Sequence, residues 1–315
     1  MRVSDSSLAQ VRDRGFTVVE GFLDPGTLKA AQDALWDIYP RPEDYFADPR
    51  KHARWALTQF SGVKLYPYPS WALNRVAVYP DLVDAAERLL GATDLEIYKV
   101  ELWAKYAGAI NYDQVHHRDF GNHSLVAPRS DGAHMQMTTI ILLSDVTELD
   151  GPTKLIPLSE SRDIPLHRHH LRMGDLVDKE VSAAAPAGSL LIYRTDVIHR
   201  GSDFKAPGRS RFVMLVDFQE RGWRWNGKIH WGDHANRPGL REAMVAMTPR
   251  ERDLFGFPPT GSDYWNAQTL TDVAARYPGI DLGPYGKPGK PGARRGAGSR
   301  APRAARSKGE SPPDA

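Results

Sequence analysis

The chain has 315 residues, 41% of them hydrophobic and 25% charged, and a formal net charge of +2. That composition is ordinary for a globular protein and excludes a collagenous or wholly disordered chain. No run of 18 apolar residues offers a transmembrane helix. Met1 to Gln10 lacks the apolar stretch of a secretory signal, and the chain contains no cysteine. Disulfides, thiolate metal sites and thiol nucleophiles are therefore excluded, and a cytoplasmic location is expected.

The charge is unevenly placed. Residues 286–315 hold three Lys and five Arg against Glu310 and Asp314, a net of +6, which leaves −4 for the rest. This Gly-, Pro- and Ala-rich tail has almost no apolar side chains to offset the entropy of ordering, so it reads as disordered. Weak non-specific contact with polyanions such as nucleic acid is the most that its charge implies. Residues 1–285 read as a single domain: a helical part (1–92), a strand-rich core (93–218) and a cap (219–285).

In chain order, Phe16 to Phe22 predicts a short strand after a weak helix. Asp24-Pro25 supplies an N-cap and a first-turn proline for a helix ending near Tyr39-Pro40, with Leu28, Ala31, Leu35 and Ile38 on its apolar face. A second amphipathic helix spans Pro80 or Asp81 to Leu90 and stops at Gly91. Strands are expected at Leu95–Tyr106, Met135–Leu143, Lys154–Pro157, Ser189–Tyr193 and Arg211–Phe218, with turns at Asp150-Gly151-Pro152 and Ala187-Gly188. No long helix separates them, which argues against a parallel sheet and for an antiparallel roll. Trp223, Trp225 and Trp231, followed by weak helices over 239–254, read as a cap packed on that roll.

Without cysteine, a metal site must use His and carboxylates. Gln114 to Phe120 reads QVHHRDF; on an extended strand, His117 and Asp119 share one face while His116 and Arg118 take the other. In a chain with eleven His, H-x-D by itself arises by chance. The segments downstream of it add weight. SLLIYRTDVIHRGS delivers His199 from an apolar strand, and RFVMLVDF opens on Arg211. Two His and one carboxylate are the ligand set of non-haem Fe(II) oxygenases. An Arg on the next strand suits a bidentate grip on a dicarboxylate.

Together, HHRDF, LLSDVTELDGPTKLIPLSES and AGSLLIYRTDVIHRGS with RSRFVMLVDF resemble the phytanoyl-CoA dioxygenase family of Fe(II)/2-oxoglutarate-dependent oxygenases, ectoine-hydroxylase-like members included. The resemblance implies a mainly β fold with flanking helices, built on a double-stranded β-helix (jelly roll, cupin-like). It implies His117, Asp119 and His199 as iron ligands, and Arg211 on the distal carboxylate of 2-oxoglutarate, with Arg209 the competing choice. Lys64, and Ser202 beside the position where the family often has Ser (here Gly201), are further candidates for co-substrate contact. Two other departures are Ile140 at a family Trp position and Pro157-Leu158-Ser159-Glu160 in place of the usual "PgSH".

The implied activity is a dioxygenase using Fe(II), 2-oxoglutarate and O2 to hydroxylate, or otherwise oxidise, a small molecule, with succinate and CO2 as co-products. Asp119 speaks against the related halogenases, which carry a small residue there. The alternatives are a jelly-roll metal-dependent hydrolase or isomerase that does not use 2-oxoglutarate, and a non-catalytic binding protein of the same fold. His167, Arg168, His169, His170 and Arg172 form a cationic cluster that could attract a carboxylate- or phosphate-bearing substrate, although a solvated loop explains it better. The i, i+4 pair His230 and His234 is a weaker candidate for a second metal site.

Overall fold

In a computed structural model of the chain, the residues described are 2–108, 113–129, 132–166, 170–172, 174–223, 227, 229, 231, 237–262 and 264–286. The tail beyond 286 lies outside them, as do His167, Arg168, His169, Trp225, His230 and His234.

Five helices precede the long strands: α1 (Asp5–Arg14), α2 (Pro25–Ala34), α3 (Pro42–Ala47), α4 (Trp71–Ala77) and α5 (Pro80–Leu90). Their ends are written in the sequence. Asp24 accepts the Thr27 amide at 2.8 Å and Pro25 opens α2, while Gly91 closes α5 at φ +68°, where a Cβ would be strained. Helix α2 is shorter than its apolar pattern predicts; after Ala34 the chain tightens into a 3-10 turn over Leu35–Asp37.

The strands are β1 (Phe16–Val19), β2 (Val63–Leu65), β3 (Leu95–Tyr106), β4 (Met137–Leu142), β5 (Thr153–Leu155), β6 (Val181–Ser182), β7 (Leu190–Arg194), β8 (His199–Gly201) and β9 (Ser210–Glu220). A short helix, α6 (Phe120–His123), precedes β4, and α7 (Pro238–Ala246), α8 (Pro249–Asp253) and α9 (Ala267–Arg276) come after β9. The strands form a six-stranded sheet, β1-β7-β4-β9-β3-β2, and a three-stranded sheet, β6-β5-β8. Every pairing is antiparallel. Among the described residues this is the jelly-roll-type arrangement, with two antiparallel sheets and no closed barrel.

The large sheet has two unlike faces. Its outer face carries Val100, Leu102, Phe212, Met214, Val216 and Phe218, buried in one cluster with residues of the N-terminal helices and of α7. Each such side chain contributes roughly 1.5–3 kcal/mol by leaving water. A second cluster joins the inner faces of both sheets through residues such as Ile140, Leu191 and Val213 from one side and Leu155 from the other. Among the cap tryptophans, Trp231 is buried and donates its indole N–H to the Ile97 carbonyl at 2.7 Å.

One irregularity decides what the inner face contains. The β3–β9 register slips between Ile97 and Lys99. Before the slip, Leu95 and Ile97 face the outer core; after it, Val100, Leu102, Ala104 and Tyr106 do. A one-residue bulge reverses the parity of a strand. It thereby turns Lys99, Glu101, Trp103 and Lys105 into the cavity between the sheets.

Candidate metal centre

His199 opens β8, and His117 pairs with it across an antiparallel bridge, each amide donating to the other's carbonyl at 2.9 Å. The two imidazoles are thus side by side, with ring centroids 4.4 Å apart. The H-x-D spacing predicts Asp119 on a strand, and the structure places it off one. It has helical backbone angles (φ −65°, ψ −29°) and starts the short turn of α6, because Phe120 N–H pairs with the Thr195 carbonyl and pulls the chain off the strand. The turn still brings its carboxylate to the histidines. Asp119 Oδ1 lies 3.7 Å from His117 Nε2 and 3.5 Å from His199 Nε2. One donor atom from each residue falls within 4.8 Å of the other two.

The other atoms of the three side chains are already committed. His117 Nδ1 lies 2.9 Å from the Val115 carbonyl and His199 Nδ1 3.0 Å from that of Val197. A carbonyl can only accept, so Nδ1 carries a proton in both rings, and Nε2 is the nitrogen turned to the shared space, where the neutral ring offers a lone pair. Asp119 Oδ2 accepts the Tyr193 hydroxyl at 2.8 Å, leaving Oδ1 toward the histidines. Burial and the neighbouring His199 lower the His117 pKa to about 4, so its imidazole is neutral at pH 7. Burial opposes ionisation of Asp119, but His199, His123 and Lys99 outweigh it and hold its carboxyl well below the usual range. Burial disfavours a charge on His199, but Asp119 outweighs it and raises the His199 pKa, so His199 gives up its proton where a metal takes that place. Two imidazoles and one carboxylate with open space beside them then fit a divalent first-row metal such as iron(II).

At the far end of the cavity Arg211 and Lys105 are directly paired across β9 and β3, both buried, both lining it. Burial and the Arg211 charge push Lys105 well below the ordinary lysine value. Arg209 is separated from this end: its guanidinium grips Asp150 at 2.8 and 2.9 Å.

Two candidates from the sequence are not brought to the cavity. Lys64 is exposed on β2, with its ammonium 4.9 Å from the Trp55 ring. Ser202 Oγ donates to the Pro152 carbonyl at 2.6 Å and does not line the space. At the position where Ser is frequent in the family, Gly201 leaves room for Gln114. Gln114 Oε1 accepts the Gly201 amide at 2.9 Å, and a Cβ on Gly201 would stand at that same distance from it. Lys105, Tyr193 and Gln114 also line the cavity and form no motif of their own; only the alternation Lys99-Glu101-Trp103-Lys105 along a strand signals a polar inner face.

A family model described as phytanoyl-CoA dioxygenase matches residues 11–213. The chain belongs to the phytanoyl-CoA dioxygenase family. It is a 2-oxoglutarate-dependent oxygenase of that family, with iron and 2-oxoglutarate as cofactors. No curated protein matches it. Among solved structures, the non-haem α-ketoglutarate-dependent carbocyclase SnoK from nogalamycin biosynthesis superposes with a TM-score of 0.50 at 16% identity, covering 74% of this chain and 90% of that one. The epimerase SnoN, solved with Fe3+, α-ketoglutarate and nogalamycin RO, gives 0.48 at 16% identity, over 69% and 83%. SnoK shares the fold. Among the described residues no helix is long and apolar enough to cross a membrane.

Proposed function

We propose that this family member hydroxylates, or otherwise oxidises, a small molecule with succinate and CO2 as co-products. In this reading His117, Asp119 and His199 hold iron, and Arg211 with Lys105 holds the distal carboxylate of 2-oxoglutarate. The observation that carries it is one cavity with a tied-off His-Asp-His set at one end and a paired Arg-Lys at the other. Bound iron with 2-oxoglutarate would supply the oxidant, since the cofactor carries the hard chemistry.

The chain's own residues do the rest. The Val115 and Val197 carbonyls fix the imidazole tautomers, and Tyr193 keeps one Asp119 oxygen turned away from the shared space. Arg211 and Lys105, both buried, orient the co-substrate by two donors, Lys105 as the ammonium that a bound carboxylate favours. Ile140, Leu191, Val213 and Leu215 form the apolar wall that excludes water between the two ends. An anion-bearing substrate remains a proposal that rests on the 167–172 cluster, of which only His170, Leu171 and Arg172 are described. The single-domain organisation over 1–285 and the cytoplasmic location are likewise proposals.

The test is anaerobic titration of the Fe(II)-loaded protein with 2-oxoglutarate. Keto-acid chelation should give a weak visible charge-transfer band, and Arg211→Ala should raise the 2-oxoglutarate dissociation constant at least about tenfold, the loss of a charge-assisted pair. Unchanged affinity in Arg211→Ala would remove that residue from the cradle, and absence of the band in the wild type would sink the reading.

A further inference from the structure

The cavity is small for what it has to hold. Its volume is about 180 Å³, below the roughly 300–1,000 Å³ of clefts that enclose a whole ligand, and in the oxygenase reading the co-substrate takes part of it. A substrate can therefore bring only its reacting end to the metal, and the rest of it must lie at the mouth. Phe60 marks that mouth, because it lines the cavity and is yet 52% exposed. Trp103 stands edge-on to it, with centroids 5.6 Å and planes 78° apart, and lines the cavity too.

An apolar surface continues outward from these rings. Strand β2 is the edge of the large sheet, and in it Val63 pairs with Trp103 and Leu65 with Glu101. Cross-strand partners share a face, so Val63 and Leu65 extend the cavity face by one strand while Lys64 takes the other face. Val63 is half-buried and Leu65 is 43% exposed. The indole N–H of Trp103 is already spent, since Glu101 Oε2 accepts it at 3.0 Å. What Phe60, Trp103, Val63 and Leu65 offer is hydrocarbon. The surface is also held in place. Residues 58–61 close a turn in which the Ser61 amide donates to the Thr58 carbonyl at 3.1 Å. Gly62 then lies so close to β3 that a Cβ would collide with the Ala104 carbonyl. From the turn, Gln59 reaches across the mouth: its Oε1 accepts Gln114 Nε2 at 3.2 Å, while Gln114 Oε1 accepts the Gly201 amide. The shelf is thus fastened to the segment that carries His117, and its place is set before a ligand arrives.

We propose that Phe60, Trp103, Val63 and Leu65 form a shelf that carries the uncharged hydrocarbon body of a substrate larger than the cavity. The proposal rests on the oxygenase reading, and specifies the substrate class for the same site. Exposed apolar surface is unfavourable in water until something covers it. Because this surface is continuous with the cavity lining, the molecule that covers it is the one whose other end reaches the metal. A polar body would lose hydration on the shelf and gain no hydrogen bond there.

The experiment uses the full chain with Fe(II) and 2-oxoglutarate under anaerobic conditions. The probes are n-octanol, diethylene glycol monoethyl ether, which matches it in heavy atoms, and n-butanol: long apolar, long polar and short, with binding read by calorimetry. n-Octanol should bind at least about tenfold more tightly than either of the others, since each methylene withdrawn from water is worth about fourfold. Phe60→Ser and Leu65→Ser should each weaken n-octanol binding at least about fivefold. Val177, 48% exposed and just before β6 at the far edge of the small sheet, is the control; Val177→Ser should change the affinity less than about twofold. Equal or tighter binding of the ether or of n-butanol, or no n-octanol binding, overturns the proposal. So does unchanged affinity in either folded shelf variant, or an equal loss in Val177→Ser. Sedimentation reads the rival occupant: a wild-type dimer that Phe60→Ser dissociates would give the shelf to a second copy and overturn the proposal. Should one shelf variant fail to fold, the other decides together with the wild-type preference. The 2-oxoglutarate charge-transfer band, recorded on the same samples, reports separately on the oxygenase reading; if it is missing, the alcohol comparison still reads the shelf.

Discussion

The two sheets are held together by different forces. The large sheet has long strands, twelve residues in β3 and eleven in β9, and a helix-covered apolar outer face. The small sheet has strands of two or three residues and is fastened by charge. Behind the ligand pair, Glu180 receives Arg200 at 2.6 and 3.1 Å and lies 2.9 Å from His116 Nε2. Arg200 also donates to Asp113 at 2.8 Å, and Asp113 accepts the Asp203 amide at 2.7 Å. His116 and Arg200 each adjoin a proposed iron ligand, so one carboxylate stitches the backs of both ligand-bearing segments. The metal end is therefore built on a polar network and the co-substrate cradle on an apolar slab, and the two should fail independently.

The sharpest test sets a ligand against an outer-face residue. Asp119→Ala and His199→Ala should each lower coupled turnover at least about a hundredfold, about 2.7 kcal/mol in barrier terms, with little change in the thermal melt. Phe218→Ala on the outer face should cost about 3–5 kcal/mol of stability, while the protein that remains folded still binds iron. If Asp119→Ala unfolded the chain as Phe218→Ala does, the metal end would prove structural and the separation would collapse.

A smaller effect is expected from Glu180→Gln. It keeps the size of the side chain but removes the charge facing Arg200 and His116, so the ligand segments lose their shared anchor. Iron affinity should fall about tenfold, the lower range for outer-shell partners of metal ligands. Iron binding, read by Fe(II) titration, is the deciding measurement, since a purely structural role would lower the melting temperature and leave the affinity alone. With iron saturating, 2-oxoglutarate binding should stay within about twofold.

The same division explains what the sequence disclosed. Elements with apolar periodicity were legible: β3 spans the expected Leu95–Tyr106, and α5 ends at the expected Leu90 and starts at Pro80, the first of the two expected residues. Short elements held by polar contacts were not. His199 was expected after an apolar strand, yet β8 is a separate three-residue strand set by its partners. Asp119 was read onto a strand because spacing cannot reveal a turn made by a distant carbonyl. Lys105 was passed over because a lysine in a strand reads as solvent-facing, and the bulge at Ile97/Lys99 that turns it inward depends on pairing with β9. Helix α9 was not anticipated, and it buries no residue fully.

The smallest effect belongs to Lys64, and it sharpens the comparison through contrast with Lys105. Lys64 lies on the outer edge of the large sheet over Trp55, a contact worth about 0.5–1 kcal/mol when exposed. Lys64→Ala should leave 2-oxoglutarate affinity within about twofold of the wild type. Lys105 behaves differently because burial and Arg211 depress its pKa. In the free protein it loses its proton as pH rises through that lowered value, whereas a bound carboxylate favours the ammonium. Binding above that pKa must therefore take up a proton, and affinity should fall as pH rises, by up to about tenfold per unit. Calorimetry in buffers of different ionisation enthalpy measures the uptake directly. Wild type and Lys64→Ala should show the same uptake and the same slope, and Lys105→Met should bind more weakly with the slope removed. A slope that vanished in Lys64→Ala and survived in Lys105→Met would return the co-substrate lysine to the edge of the sheet.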